Sequence, residues 1–316
     1  MDLIDSFIEY IKGIKRYSTR TVQIYSDSLK EFSLYLDGED LLSSLCPSLL
    51  RSYEVYLLED RKLSAKTVGQ HLSVLSSFCK YLYKKGLLNS NPLRSISRPK
   101  TDKSLPVFYR QESIKSYFDS TAFYGSEEAL ALVEGKGAAK AYEKIIGRLI
   151  ISLLYYTGIR RSELIGLKYG DLDCRRFLLR VRGKGDKERE IPLEDSLIRE
   201  ISLYLQAGKR LGLKDRMPQD PLLLCPSGIP LYPEYVDRAV KRELGSEESI
   251  TCRKSPHVLR HTIATELLND GAQLNSIKEM LGHSSLAATQ VYTHNSIEKL
   301  KKTYNQAHPL CRNLKK

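Results

Sequence analysis

Cysteine is scarce in this chain of 316 residues, and no apolar run is long enough to cross a membrane. The six cysteines form no Cys-x-x-Cys pair and no regular framework, so a disulfide-stapled fold is excluded. The best apolar segment, residues 149–156, is far shorter than the ~18 residues of a membrane span. The first five residues, Met-Asp-Leu-Ile-Asp, lack the basic and apolar regions of a secretory signal. We therefore expect a cytoplasmic protein with reduced thiols and no membrane partner.

Acidic residues are almost missing from one stretch of the chain. Residues 61–107 contain ten basic residues and one acidic residue, whereas residues 1–60 contain six basic and eleven acidic ones. The formal net charge of the whole chain is +12. A basic block of this size can neutralise several phosphates and release their counterions. A solvated helix face followed by a basic linker would have the same composition. The charge distribution therefore suits a nucleic-acid partner but does not prove one.

Hydrophobic periodicity divides the chain into two parts. The first hundred residues predict short helices: one over 20–36 after Ser18, one opened by Pro47 and running to 59, and one that follows Ser64 and ends near Gly86. Residues 89–106 are rich in Pro, Ser and Lys and have little hydrophobic period, which indicates an extended linker. A small helical domain of about 100 residues therefore precedes a larger one.

The larger part mixes helical patterns with one β-hairpin. Helices are predicted at 111–118 and 140–157, and again from 233 onward, with a start at Ser255-Pro256 and stops at Gly271 and Gly282. Apolar alternation in 177–182 and 189–193 flanks the basic, glycine-rich turn 183–187 and predicts a hairpin. Residues 123–139 read as a loop or short helix without an assignable role.

Four of the six histidines lie between residues 257 and 294. His257 and His261 are four residues apart on a predicted helix, a spacing that zinc ligands use. The glutamate of the His-Glu-x-x-His motif is missing, however, and Arg260 lies between the two rings. We therefore expect no metal site. Taken singly, each histidine is better explained by a core or capping role.

A wider set of residues is suited to phosphodiester chemistry. Guanidinium groups bind non-bridging phosphate oxygens bidentately, a positioned tyrosine hydroxyl can be a nucleophile, and a lysine can protonate a leaving alkoxide. The chain offers two arginines, a lysine, two histidines and a tyrosine for these roles: Arg160, Lys184, His257, Arg260, His283 and Tyr292.

Four motifs make the sequence resemble the tyrosine site-specific recombinases, and within them the Xer chromosome-resolution group. They are Thr-Gly-Ile-Arg-Arg-Ser-Glu-Leu from 157, Gly-Lys-Gly-Asp-Lys-Glu-Arg from 183, Ser-Pro-His-Val-Leu-Arg-His-Thr from 255, and Leu-Gly-His-Ser-Ser-x5-Val-Tyr-Thr-His from 281. The resemblance covers nearly the whole chain. It implies a mainly α fold with a small β-sheet: a helical SAM-like core-binding domain at 1–100, a basic linker at 101–107, and an α+β catalytic domain at 108–316.

The resemblance also implies a role for each matched residue. Arg160 and Arg260 would clamp the phosphate, and His257 would accept the tyrosine proton or bind phosphate. His283 would donate to a non-bridging oxygen. Lys184 would be the general acid, and Tyr292 the nucleophile that forms a 3′-phosphotyrosyl bond. Glu163 would orient the clamp, unless it is an ordinary surface acid. No cofactor is implied, because the covalent intermediate conserves the energy of the broken bond.

The implied partners are double-stranded target DNA, further recombinase protomers in a homo- or hetero-tetramer, and a septal DNA translocase. Residues 297–304 resemble the family's tail helix, which docks into a neighbouring protomer. Two helices of the first domain are expected to face the DNA groove, with most of the contacts to phosphate and only a few to bases. The residues are Thr19, Arg20, Gln23, Ser64, Lys66, Thr67, Gln70 and His71.

Three other functions remain open on the sequence. An integrase or invertase of a mobile genetic element would share the motifs, although the core-binding pattern starts too early for an extra arm-binding domain. A type IB topoisomerase would share the chemistry but not the helical core-binding domain and tail. An architectural DNA-binding protein would not need all six reactive residues, and all six are present.

Overall fold

The computed structural model describes residues 2–99, 107–183 and 187–282. The chain divides into two compact units, Met1–Ser104 and Leu105–Lys316. The described parts are mostly helical with one three-stranded sheet, which confirms the predicted fold class. None of the helices in these ranges combines the length and apolarity needed to cross a bilayer.

Within residues 2–99, the regular structure of the first unit is helical throughout. They are α1 (Leu3–Glu9), α2 (Thr19–Leu36), α3 (Leu41–Ser44), α4 (Pro47–Glu59) and α5 (Ala65–Lys84), with a π-helical turn at Tyr10–Ile14 and a 3₁₀ turn at Pro92–Ser95. The three long helices α2, α4 and α5 confirm the sequence prediction. Aromatic rings join the helices in the core: Phe7 of α1 packs on Phe78 of α5 at 5.3 Å between centroids, and Phe32 of α2 packs on Tyr53 of α4 at 4.9 Å.

Helices α2 and α5 begin with the same local structure. Ser18 and Ser64 are the N-caps, and the hydroxyl of each accepts a hydrogen bond from the backbone N–H of a threonine three residues later. These distances are 3.2 Å for Thr21 and 3.3 Å for Thr67. The serine and threonine hydroxyls also bond to each other, at 2.8 and 2.9 Å. Such a cap satisfies an N–H group that would otherwise have no partner inside the helix.

The turns that precede α2 and α5 also have the same backbone geometry. Arg16 and Lys62, two residues before the caps, both adopt left-handed backbone angles, with φ of 51° and 50°. In both turns the next N–H donates to the carbonyl six residues earlier at 3.0 Å, Tyr17 to Ile11 and Leu63 to Leu57. This bond spans one residue more than the bond that closes a Schellman helix end. The first unit therefore contains one helix–turn–helix geometry twice.

The second unit combines seven helices with the sheet in the described ranges. The helices are α6 (Gln111–Ser120), α7 (Ala138–Thr157), α8 (Arg161–Ile165), α9 (Asp195–Arg210), α10 (Pro233–Gly245), α11 (Pro256–Asn269) and α12 (Leu274–Leu281). The strands β1 (Leu172–Asp173), β2 (Leu178–Arg182) and β3 (Glu188–Pro192) pair antiparallel in that order. The predicted hairpin and the helix start at Ser255-Pro256 are confirmed, whereas α9 and β1 are additions.

Helix α7 lies at the centre of this unit. Fourteen of its twenty residues are buried, so it is apolar around most of its circumference and contacts α9, α10 and α11. Three short 3₁₀ turns between residues 122 and 137 precede it and pack against α7 and α9. Because α7 is held on all sides, the residues directly after its last turn have a fixed position.

Candidate active site at the end of helix α12

A glycine turn brings the first arginine to the site. Gly158 ends α7 in the left-handed conformation with φ of 61°. A Cβ at this position would lie 2.5 Å from Cδ2 of Leu281, so only glycine allows the end of α12 to pack here. The carbonyl of Gly158 accepts a hydrogen bond from Nη1 of Arg260 at 2.5 Å. One turn therefore joins α7, α11 and α12.

Arg160 and Glu163 bind each other through backbone and side chain. Arg160 is the N-cap of α8, and its N–H donates to Oε2 of Glu163 at 2.9 Å. Its Nη1 donates to Oε1 of the same carboxylate at 2.8 Å. Glu163 is buried, with 4% of its side chain exposed, while 38% of the Arg160 side chain is exposed. The carboxylate thus fixes the direction in which a partly exposed guanidinium points.

Three arginines bind the last carbonyl groups of α12. Arg189 donates from Nε to the carbonyl of Met280 at 2.9 Å. Arg260 donates from Nη2 to Leu281 at 2.6 Å, and Arg160 from Nη2 to Gly282 at 2.9 Å. The final carbonyls of a helix have no partner inside it and carry its partial negative charge, which attracts cations. The end of α12 is therefore the point where the three guanidinium groups meet.

The positive charge at this point exceeds the negative charge that the described residues place beside it. Burial, followed by the charge of Arg160, lowers the pKa of Arg260 to about 10, so Arg260 remains cationic at neutral pH. Burial alone would raise the pKa of Glu163, but hydrogen bonds from Arg189 and Arg160 outweigh it and hold the pKa below its usual value. One carboxylate thus faces three guanidinium groups.

Several guanidinium N–H groups have no partner among the described residues and could bind an anion. A guanidinium has five N–H groups. In the described part of the chain, the bonds of Arg160 and of Arg260 each engage two nitrogens, Nη1 and Nη2, with one N–H from each. This leaves three N–H groups on each for an oxyanion such as a phosphodiester, which guanidinium groups bind bidentately.

His257 lies one turn before Arg260 on α11 and is exposed. Partial burial, then the neighbouring His261 and Arg260, lower its pKa below the usual value. The His261 ring is 5.9 Å away between centroids. A histidine that is neutral at pH 7 has one ring nitrogen able to accept a proton, so His257 is suited to act as a base.

Four of the seven predicted catalytic residues are thus grouped by the described structure: Arg160, Glu163, His257 and Arg260. The other three, Lys184, His283 and Tyr292, lie outside the described residues. Two of them follow described positions directly. Gly183, at the end of β2, donates its N–H to the carbonyl of Lys187 at 2.8 Å, and Gly282 follows α12.

Sequence reasoning missed Arg189. It contacts Glu163 with two nitrogens and is 7% exposed. On β3 it shares the buried face with Ile191, a position that apolar alternation reserves for core residues. An arginine in such a position needs an anionic or carbonyl partner. A charged residue at a core position of the strand pattern was thus the sequence signal for a buried partner of Arg189.

The predicted DNA-facing residues lie on the two repeated helix starts. Six of them, Thr19, Arg20, Gln23, Ser64, Lys66 and Gln70, are exposed, and Thr67 is half-buried beside its cap. Gln23 also donates to Asp27 at 2.8 Å. His71 differs, because its ring is half-buried and Nδ1 is enclosed without a hydrogen-bond partner in the described residues. Burial lowers the pKa of this ring.

The chain thus combines two units with an arginine cluster that is suited to binding an oxyanion. Residues 127–299 match the phage integrase family, and residues 4–86 match the phage integrase N-terminal SAM-like domain. The chain belongs to the phage integrase family of tyrosine recombinases, which cleave and rejoin DNA in site-specific recombination.

Curated relatives agree over nearly the full length. The tyrosine recombinase XerC of Bacillus licheniformis is 37% identical, with 96% of this chain and 95% of the relative covered. XerC of Bacillus pumilus is 36% identical, with 97% and 96% covered.

Two solved structures share the fold. The integrase of the Tn1549 transposon, in complex with transposon right end DNA, superposes with a TM-score of 0.66 at 21% identity, with 95% of this chain and 100% of that chain covered. The XerH site-specific recombinase, bound to palindromic difH substrate, gives a TM-score of 0.65 at 21% identity, with 96% and 84% covered.

Proposed function

We propose that this recombinase is of the Xer type and resolves chromosome dimers at a single chromosomal site. The observation that carries the chemical part is the meeting of Arg160 and Arg260 at neighbouring carbonyls, directly before His283 in the chain. The identity to XerC proteins over nearly the whole length supports the cellular part. A role on the chromosome implies a cytoplasmic location for the enzyme.

In the proposed reaction, the phenol oxygen of Tyr292 attacks the scissile phosphorus while His257 takes its proton. Arg160, Arg260 and His283 bind the non-bridging oxygens, whose charge grows in the transition state. The bond to the 5′-oxygen breaks, and Lys184 donates the proton that this oxygen needs to leave. The product is a 3′-phosphotyrosyl ester and a free 5′-hydroxyl.

Rejoining reverses these steps with a different strand. The 5′-hydroxyl of the partner duplex attacks the phosphotyrosyl ester, which releases the tyrosine and forms a Holliday junction. No external energy source is needed, because the ester conserves the phosphodiester bond. Exchange between two duplexes requires a synapse, so we propose a homo- or hetero-tetramer on DNA, with a septal DNA translocase as a regulator.

DNA contacts of the first unit fall, in this proposal, on the two repeated helix starts. Each has an exposed serine cap and an exposed basic residue two positions further on, Arg20 in α2 and Lys66 in α5. Helix N-termini attract phosphate because unpaired N–H groups and the helix dipole favour an anion. The matching geometry of the two starts supports two similar phosphate contacts. His71, with one ring nitrogen enclosed, stays a prediction.

Covalent capture tests the proposal. The purified chain is incubated with sheared genomic DNA from its host, stopped with SDS, and the DNA attached to protein is sequenced. Recovery of one chromosomal site opposite the replication origin is the expected result. Recovery of the ends of a mobile element would replace the Xer assignment by an integrase. The matched control is Tyr292→Phe, which should bind the same site but give no SDS-stable adduct; an adduct from it would contradict the assigned nucleophile.

A further inference from the structure

We propose that Arg189 is a positioning residue of the recombinase, which holds Glu163 so that Arg160 remains available to the scissile phosphate. The inference rests on the proposed function, since it concerns the rate of DNA cleavage. Its basis is that one buried side chain on the hairpin β2–β3 is bonded to two other elements, α8 through Glu163 and α12 through Met280.

The contact with Glu163 is bidentate. Arg189 donates from Nη1 to Oε1 at 3.1 Å and from Nη2 to Oε2 at 2.7 Å. Both side chains are almost fully buried, with 7% and 4% exposed. Arg160 donates to the same oxygen, Oε1, at 2.8 Å. The carboxylate is therefore held from two sides, and its orientation determines where the Arg160 guanidinium lies.

Charge explains why a second guanidinium is needed. A buried carboxylate must be neutralised by a cation or become protonated. If Arg160 were the sole cation on Glu163, the pair would be electrically neutral and the guanidinium would be drawn toward the carboxylate. With Arg189 bound as well, the group carries a net positive charge. Arg189 thus neutralises Glu163 and leaves the charge of Arg160 for the phosphate.

The third nitrogen of Arg189 reaches the end of α12. Nε donates to the carbonyl of Met280 at 2.9 Å. Gly282, two residues later, has φ of 66°, and a Cβ there would lie 3.0 Å from Nη1 of Arg189. A glycine at this point lets the guanidinium pass close to the backbone directly before His283.

Strand pairing extends the connection to the hairpin. Arg189 lies on β3 opposite Val181 of β2, and the turn between the two strands contains Lys184. Lys187 lies two residues before Arg189, and its carbonyl accepts the hydrogen bond from Gly183 that joins the two strands beside the turn. A single side chain fixes the base of this hairpin relative to the Glu163 carboxylate and to the end of α12.

The first test compares Arg189→Lys with Arg180→Lys. Lysine keeps the charge but cannot make the fork, whereas Arg180 lies exposed on β2 of the same hairpin and is the matched control. We measure the single-turnover rate of covalent adduct formation on a nicked suicide substrate at saturating protein. For Arg189→Lys we expect a rate about 10- to 100-fold lower, with a DNA dissociation constant within about threefold of the unaltered chain. Arg180→Lys should stay within about twofold. An unchanged rate in Arg189→Lys overturns the inference.

A double-mutant cycle separates positioning from general loss of structure. If Arg189 acts through Glu163, Glu163→Gln combined with Arg189→Lys should be no slower than the slower single variant. Rate losses that multiply overturn the inference. If Arg189→Lys does not fold, the double variant Glu163→Gln with Arg189→Met is used instead, because removing both charges leaves no unpaired buried charge. The cleavage rate of this double variant should equal that of Glu163→Gln alone. A slower rate overturns the inference.

The unaltered chain distinguishes the two levels of the proposal. If it forms no adduct with any DNA, the proposed function fails. If it cleaves normally and the Arg189 variants cleave equally well, the inference alone fails.

Discussion

The hydroxyl of Tyr155 on α7 donates to Oε2 of Glu266 on α11 at 2.7 Å. The other carboxylate oxygen, Oε1, is buried without a hydrogen-bond partner in the described residues. Burial raises the pKa of Glu266 to about 7, and the charges of Asp270 and Glu112 act in the same direction. The carboxyl group is therefore neutral in the folded protein over most of the acidic range.

This pKa predicts that the unit loses stability as pH rises. The folded state binds the proton of Glu266 more tightly than the unfolded state does. Between its ordinary pKa and about 7, the free energy of unfolding should therefore decrease with increasing pH, by up to roughly 3 kcal/mol. Glu266→Gln should abolish this decrease and raise the melting temperature at pH 8. Thermal melts from pH 4.5 to 8 check it, with exposed Glu279→Gln on α12 as control; parallel pH curves for both variants would contradict it.

The turn at Gly158 predicts a steric effect beyond backbone strain. Gly158→Ala requires a left-handed alanine and places its Cβ against Leu281, whereas Gly271→Ala has a similar positive φ but open space around it. We expect a loss of about 1 kcal/mol for Gly271→Ala and about 2–4 kcal/mol for Gly158→Ala. Urea unfolding measures both. Equal losses would mean that packing between the turn and α12 contributes nothing.

The repeated helix starts predict two equal phosphate contacts. Arg20→Ala and Lys66→Ala should each reduce the slope of log Kd against log salt by about 1, for specific and unrelated DNA alike. Lys30→Ala, an exposed lysine further along α2, is the control and should leave the slope unchanged. Binding titrations between 50 and 300 mM salt, roughly the range in which counterion release is measurable, check this. An effect confined to one of the two variants would show that the repeat is not used symmetrically.

The general-acid role of Lys184 predicts a chemical rescue. A thiolate leaves without protonation, so a substrate with sulfur in the bridging 5′ position needs no acid. Lys184→Ala should cleave ordinary DNA at least about 100-fold more slowly than the unaltered chain does. On the sulfur substrate, the variant and the unaltered chain should cleave at similar rates. Single-turnover gels report both. If the variant is equally slow on both substrates, another group supplies the proton.

Local signals in the sequence were sufficient for most of the helices. Ser18 and Ser64 with their following apolar spacing define the starts of α2 and α5, and Ser255 that of α11. Helix α9 was not predicted although Leu197, Ile201 and Tyr204 recur at helical spacing within it, so its signal was present. Strand β1 has two residues, which is too short to show alternation.

The site was predictable only as far as motifs reach. Arg160 and Glu163 are three residues apart, and the capping geometry between them is local. The contact of Arg189 with Glu163 spans 26 residues and its contact with Met280 spans 91. Spacing along a single sequence carries no information about such pairs, because they depend on how the hairpin packs against α8 and α12.

The carbonyl groups at the end of α12 offset part of the positive charge of the three arginines, in a way that a carboxylate could not. A carboxylate would cancel a guanidinium completely, whereas backbone carbonyls offset only a fraction of its charge. Without DNA, the pocket should therefore collect small inorganic anions from the medium. Sulfate or phosphate in the buffer would then slow strand cleavage by competing for the same cations, an effect stronger than ionic strength alone produces.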